Sequence, residues 1–400
     1  CIYFLDVIKS KYREVHNMIA KKMVKFVEGS SVTRAMFEEG KKMAVEFGAE
    51  NVYDFSLGNP SVEPPKQVKE AIIETLNEDA PNFVHGYMNN SGYEEVRERI
   101  AQSLNRRFDT KFSQNNIIMT VGAAGGLNVA LKTLLDPGDE VIAFAPYFGE
   151  YNNYVANFDG VMVVVPADVP SFQLDLETFA KKITAKTKAV IVNNPNNPTG
   201  MLISHRLLKK ILEKCRKLDI LLVVDECFLD FVKEPQEYSL KRSLSGFNNL
   251  FILKAFTKRY AMAGVRLGYG LCSNRKLLEK MELCVQPWNV STMAQAAGIQ
   301  ALEETEYVEK GRQLVFQEAQ WLKEEMTRIG YQVFPSEANY IFFKGPEELF
   351  DFCLRKRILI RDCSNYPGLK KGYYRVAVKR HEENIRLIEV LEGGILWQKQ

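Results

Sequence analysis

The sequence lacks the features that would mark a helical membrane protein or a nucleic-acid binder. No apolar run approaches the roughly 20 residues that a helix needs to cross a bilayer. The longest candidate near the start, CIYFLDVI, is too short, and the mixed charge of KSKYREVHN after it is no cleavage site. An excess of one charge is missing too. The net charge is +3 over 400 residues, with no basic stripe, so no nucleic-acid partner is expected. Histidine is scarce: His16, His85, His205 and His381 show no metal-ligand spacing, and no metal site is expected. The seven cysteines (Cys1, Cys215, Cys227, Cys272, Cys284, Cys353, Cys363) form no C-x-x-C pair. Their odd number favours reduced thiols in a cytoplasmic protein over a disulfide framework. Repeats and low-complexity linkers are absent, so any domains should be tightly joined.

What is present is ordinary for a soluble globular chain, with 46% hydrophobic and 26% charged residues. The length suits two packed domains. The chain opens on Cys1, and Met18 reads as a natural start, so residues 1–17 are expected to be a non-native or disordered extension. Residues 18–63 are expected to belong to a smaller domain, 64–293 to a large one, and 294–400 to complete the smaller one.

Between residues 64 and 290 helical and strand patterns alternate. PPKQVKEAIIETLNED starts with prolines and spaces Val68, Ile72 and Leu76 for one helix face. GYEEVRERIAQSLNRRF spaces Val96, Ile100 and Leu104 in the same way. Seven short apolar runs follow, in NNIIMTVGAAGG, DEVIAFAPY, VMVVVPAD, AVIVNNPNNPTG, LLVVDE, LFILKAF and RLGYGLC. Several are near-continuous Val, Ile and Leu, as in strands buried on both faces. The expected fold is α/β: a mostly parallel seven-stranded sheet between helices, with a smaller α+β module after residue 294. In such sheets ligands bind outside the carboxyl ends of the strands.

The polar residues closing these runs carry the chemistry. LLVVDECF ends a strand pattern with Asp225, a carboxylate that needs a cation or strong donors if buried. The next strand pattern ends at Lys258, and Arg266 lies eight residues further on. TVGAAGGLNVALKTLL offers the backbone N–H groups of a helix start, which suits a phosphate. Singly these signals are weak; a lysine after a strand is most often solvated, and GAAGG lacks the Gly-Lys-Ser/Thr of a nucleotide loop. Together they match pyridoxal 5'-phosphate, with an aldehyde for Lys258, a ring nitrogen for Asp225 and a phosphate for the cradle and Arg266.

NNPNNPTG, then VVDECFLDF, then AFTKRYAMAGVRLGYG, in this order and spacing, resembles the fold type I pyridoxal-phosphate enzymes of the class I/II aminotransferase superfamily, over residues 22–393. The resemblance implies that Lys258 forms the Schiff base, Asp225 partners the ring nitrogen and Asn197 donates to the ring hydroxyl. It gives Arg266 and the amides of Ala123 and Ala124 to the phosphate, and Phe148 to stacking on the ring. Tyr87 would reach the neighbouring subunit's site in a homodimer with a shared active site. Arg375 would clamp the substrate α-carboxylate, a bidentate task suited to a guanidinium, and Gly58 would lie over the substrate. Two departures stand out. Phe228 replaces the usual tyrosine three residues after the aspartate, and Ala255 replaces a hydroxyl residue three before the lysine. Both remove a polar anchor for the cofactor.

The halves resemble different relatives. Residues 22–200 look like an aspartate- or aromatic-type aminotransferase. Residues 220–393, with DECFLDF, QPWNVS and LIRDCSNYPGL, look like the branch of histidinol-phosphate aminotransferase and threonine-phosphate decarboxylase. The expected activity is transfer of an amino group from an L-amino acid to a 2-oxo acid. The alternatives are L-threonine-O-3-phosphate decarboxylase, for which Arg361 is a candidate phosphate ligand, and histidinol-phosphate aminotransferase. A third reading, a binding protein with the fold and no turnover, is opposed by the complete set Lys258, Asp225, Asn197 and Arg375.

Overall fold

The structure is a computed structural model and describes residues 32–58 and 62–398. The extension expected at residues 1–17 lies outside them. Strands are numbered along the chain. After the short β1 (Tyr53–Asp54) come β2 (Ile117–Thr120), β3 (Glu140–Phe144), β4 (Val161–Val165), β5 (Thr187–Asn193), β6 (Leu221–Asp225), β7 (Leu250–Ala255) and β8 (Gly268–Leu271). These last seven are the seven apolar runs of the sequence. They form one sheet in the order β2-β8-β7-β6-β5-β3-β4. Strands β3 to β7 run parallel, while β8 is antiparallel to both its neighbours.

Both faces of the sheet are covered, which is why these strands carry no polar alternation. Successive side chains point to opposite faces. Accordingly Leu222 and Val224 join one core with Val190 and Ile252, while Leu221 and Val223 join the other with Ile191 and Phe251. The helix Glu94–Phe108 buries Val96, Ile100 and Leu104 as its spacing predicts. The helix Lys66–Glu78 differs from its prediction. Val68 and Thr75 are buried and Ile72 is partly buried, but Leu76 is 52% exposed. Its inner line runs through 68, 72 and 75, and one further residue rotates about 100° away from it.

The C-terminal part has long helices, Thr292–Glu303 and Thr305–Arg328, then β9 (Gln332–Val333), β10 (Tyr340–Lys344), β11 (Ile358–Leu359), β12 (Arg361–Asp362), β13 (Tyr373–Ala377) and the helix His381–Gln398. Four of these strands pair in the order β12-β13-β10-β9. β1 pairs with β11, which ties residues 53–54 to this α+β module around Phe55, Leu322, Ile341 and Val376. No helix among the described residues is long and apolar enough to cross a membrane.

One buried ionic cluster sits behind the sheet edge. Asp230 accepts from Lys254 of β7 at 2.5 Å, from Arg259 at 2.9 Å, and from Arg107. The charges must satisfy one another there, because removal from water is expensive for each. The cluster links β7 to the helix Glu94–Phe108 and to the turn that carries Lys258.

Candidate active site

The carboxyl ends of β5, β6 and β7 lie side by side, with Asn193 in register with Asp225 and Asp225 with Leu253. A cavity of about 330 Å³ opens at this edge, a size suited to a small molecule. Its lining includes Gly58, Ala123, Ala124, Phe148, Asn197, Asp225, Lys258, Arg266 and Arg375. Tyr87 is the one expected site residue outside it. That side chain is 82% exposed and stacks on Trp288, with ring centroids 3.9 Å apart.

Lys258 does not end its strand, as the sequence pattern suggested. β7 stops at Ala255, and the lysine stands in the short helical turn Phe256–Arg259. The turn swings the side chain into the cavity, where Nζ donates to the carbonyl of Gly58 at 2.7 Å. Burial, reinforced by the positive charge of Arg375, lowers this amine to about 8. A neutral amine attacks aldehydes and an ammonium does not. Attachment of pyridoxal phosphate to the cofactor-free protein is therefore expected to accelerate about tenfold per pH unit below 8 and to level off above it. Stopped-flow absorbance checks this; a rise continuing unchanged to pH 10 would mean an ordinary exposed lysine. Between about 8 and the usual lysine range the unfolded chain holds a proton that the folded one has released. Over that window this group makes stability rise with pH.

Asp225 is held at both oxygens. Oδ2 accepts from the Tyr151 hydroxyl at 2.8 Å and Oδ1 from the Cys227 amide at 3.1 Å. Asn193 Nδ2 donates to the Asp225 carbonyl at 3.0 Å, and Asn193 Oδ1 accepts the Asn197 amide at 2.8 Å. These bonds seat the NPNNPTG loop on the end of β6. Asn197 Oδ1 then accepts from Arg375 Nη1 at 2.6 Å, and Arg375 Nη2 donates to the Ser56 carbonyl at 2.8 Å. Arg375 Nε is buried and finds no hydrogen-bond partner among the described residues. A buried donor left in that state carries a penalty of about 1–3 kcal/mol, which an incoming carboxylate would remove. The guanidinium also lies 4.9 Å from the centre of the Tyr340 ring.

At the other end the helix Gly122–Leu134 points its N-terminus into the cavity. Gly122 has φ +69°, and a Cβ there would stand 2.7 Å from Arg266 Nη2. Only glycine lets the guanidinium close onto the free amides, and cation and helix terminus together favour a phosphate. The backbone of Arg266 is itself left-handed, at φ +60°, and its Nη1 donates to the Ala263 carbonyl at 2.8 Å.

The residues fit the cofactor: an amine for an aldehyde, a held carboxylate for a ring nitrogen, an aromatic wall at Phe148, and a cationic helix terminus for a phosphate. Both departures foreseen in the sequence line the cavity as Phe228 and Ala255. Phe228 packs edge-on against Tyr340 and lies 5.5 Å from Lys258 Nζ. The sequence reading missed Thr257, a hydroxyl residue on the lining directly before the lysine, which stands near the alanine that lacks one. It also missed Tyr151, Tyr154 and Tyr366. For Tyr151 a signal existed: it follows Phe148 by three residues, about one helical turn. Arg361, named only as a candidate phosphate ligand, is buried in the lining and sits opposite Arg375 across β12 and β13.

Residues 50–391 match the family described as aminotransferase class I and II. A histidinol-phosphate aminotransferase of Methanosphaera stadtmanae is 30% identical over 379 residues, covering 90% of this chain and 98% of that protein. A putative threonine-phosphate decarboxylase of Caldanaerobacter subterraneus subsp. tengcongensis is 32% identical, covering 89% of this chain and 96% of that protein. The crystal structure of an amino transferase from Eubacterium rectale superposes with a TM-score of 0.83 at 28% identity, covering 96% of this chain and all of that one.

Proposed function

The chain belongs to the class I and II aminotransferases, a pyridoxal-phosphate-dependent family, and from that footing we propose that it moves an amino group from an L-amino acid to a 2-oxo acid. The observation that carries this reading is the meeting of Lys258, Asp225, Asn197 and Arg375 in one cavity. When bound, the cofactor supplies an aldehyde for the amine and a ring that accepts electrons from the substrate Cα. Lys258 holds that aldehyde and afterwards carries the proton to and from Cα, the work of a base tuned near neutrality. Asp225 keeps the ring nitrogen protonated. Asn197 donates to the ring hydroxyl, Phe148 covers a ring face, and Arg266 with the amides at 123 and 124 binds the phosphate. Arg375 grips the α-carboxylate, and Gly58 closes over the substrate. Family members are typically dimeric, and the exposure of Tyr87 away from its own cavity supports a homodimer in which it completes the partner subunit's site. We place the enzyme in the cytoplasm, working in amino-acid biosynthesis.

A second reading, decarboxylation of L-threonine O-3-phosphate, is favoured by Arg361. Two buried guanidiniums opposite each other in one lining suit a substrate with a second anion. Histidinol phosphate would offer its phosphate to the same pair. The test is to supply the cofactor-loaded enzyme with L-glutamate and then with threonine phosphate, and to identify the products by mass spectrometry. An oxo acid with aminated cofactor is the expected result. Carbon dioxide from threonine phosphate, with the cofactor left in its aldehyde form, would replace the first reading by the second.

A further inference from the structure

Asp230 is a buried carboxylate that none of the chemistry above uses. Its two oxygens divide three cations. Oδ2 accepts from Lys254 of β7 at 2.5 Å, while Oδ1 accepts from Arg259 Nη1 at 2.9 Å and from Arg107. Burial favours the neutral acid, but the charges of Lys254, Arg259 and Arg107 overcome it and hold the Asp230 carboxyl well below the usual carboxylate range. Lys254 also donates to the Glu226 carbonyl at 2.7 Å. Two arms of the cluster thus end beside the site: Arg259 follows Lys258 in the chain, and Glu226 follows Asp225. The third arm, Arg107, belongs to the helix Glu94–Phe108 and ends elsewhere.

The turn Phe256–Arg259 needs support from outside, because a helix of four residues is too short to hold itself. Packing fixes its first residue: Phe256 is buried and stacks on Tyr260, with ring centroids 5.2 Å apart. The ion pair with Asp230 fixes its last. Lys258 stands between these anchors, with Nζ bonded to the Gly58 carbonyl. An apolar cluster of the same volume would stabilise the fold about as well as buried charges do. What it would lack is direction, which charge-assisted hydrogen bonds supply.

We propose that Asp230 is a positioning residue for Lys258: acting through Arg259, it holds the turn from behind so that the amine meets the cofactor's aldehyde in register. The proposal rests on the reading of Lys258 given above. A displacement of the amine by about 1 Å slows its reaction far more than it weakens binding. Asp230→Asn would leave Lys254 buried without a counter-charge and can fail to fold, so the two arginines carry the test. Both meet the same oxygen, and only one of them reaches the turn.

Arg259→Met and Arg107→Met are compared with wild type as full-length cofactor-free proteins. The rate of pyridoxal-phosphate attachment is followed by stopped-flow absorbance at the plateau of each pH profile, where the amine is neutral. A change there reports geometry and not protonation. Each substitution takes one donor from Asp230 Oδ1, so both are expected to lower the unfolding temperature. Only Arg259→Met is expected to slow attachment, by about tenfold, with Arg107→Met within about twofold of wild type. Equal slowing in both would overturn the proposal, because the cluster would then serve the fold alone. So would an unchanged rate in Arg259→Met. Either result leaves Lys258 as the reacting amine. If borohydride fixes no cofactor to the Lys258 peptide of the wild type, the reading beneath the proposal falls, and the proposal with it.

Discussion

Turnover in Lys258→Ala is expected to fall by about four orders of magnitude or more, because the variant loses both the amine that holds the aldehyde and the carrier of the Cα proton. The fold should survive. The Gly58 carbonyl that Lys258 bonds also accepts Asn339 Nδ2 at 3.0 Å, so the substitution leaves no orphaned acceptor. Removing a desolvated, depressed amine also relieves a buried group that prefers to be neutral. Two measurements separate enzyme from binder. Borohydride treatment of the loaded wild type should fix the cofactor to the peptide that contains Lys258, and the variant should gain no such mass. Steady-state rates should collapse while non-covalent cofactor binding persists. Turnover at the wild-type rate would sink the mechanism.

The second large effect is expected at Arg375. Arg375→Lys keeps a charge but loses the planar fork, and one ammonium cannot reach Asn197 Oδ1, the Ser56 carbonyl and a carboxylate in the same geometry. A loss of about 100-fold in kcat/KM is expected, corresponding to about 3 kcal/mol, or one to two charge-assisted hydrogen bonds. Arg375→Ala should lose about 1,000-fold. It should also cease to prefer an amino acid over the corresponding amine without a carboxylate, and this preference is the specific check. A variant that keeps the wild-type preference would place the carboxylate elsewhere, with Arg361 the nearest alternative. A side effect has a definite sign. The charge of Arg375 helps to depress Lys258, so its removal should move the midpoint of the cofactor-attachment profile upward from about 8.

Much of this was legible before the structure. The seven apolar runs became the seven strands of one sheet, since runs of Val, Ile and Leu this short and this continuous bury both faces only in a covered parallel sheet. Asp225 closes β6, and Gly122–Ala124 open a helix at the same edge, as the pattern required. Other features were hidden. Lys258 read as a strand end because the apolar run LFILKAF continues past Ala255, where β7 stops, into Phe256 of the turn, so the run itself does not mark the boundary. Leu76 read as core because a spacing of four from Ile72 is helical on either side of the true inner line. The contact of Tyr151 with Asp225 was not foreseen, because the two residues are 74 positions apart in the chain.

The sequence by itself therefore determined the elements, the edge at which chemistry occurs, and the residue types that define the cofactor. These follow from local periodicity and from the cost of burying unmatched polar groups. Only the tertiary structure decided the strand order, the reversal of β8, the bond from Tyr151 to Asp225, and the facing pair Arg361 and Arg375. Each of these depends on contacts between residues far apart in the chain, and a one-residue shift of register would send such side chains to the opposite face without changing a letter of the sequence.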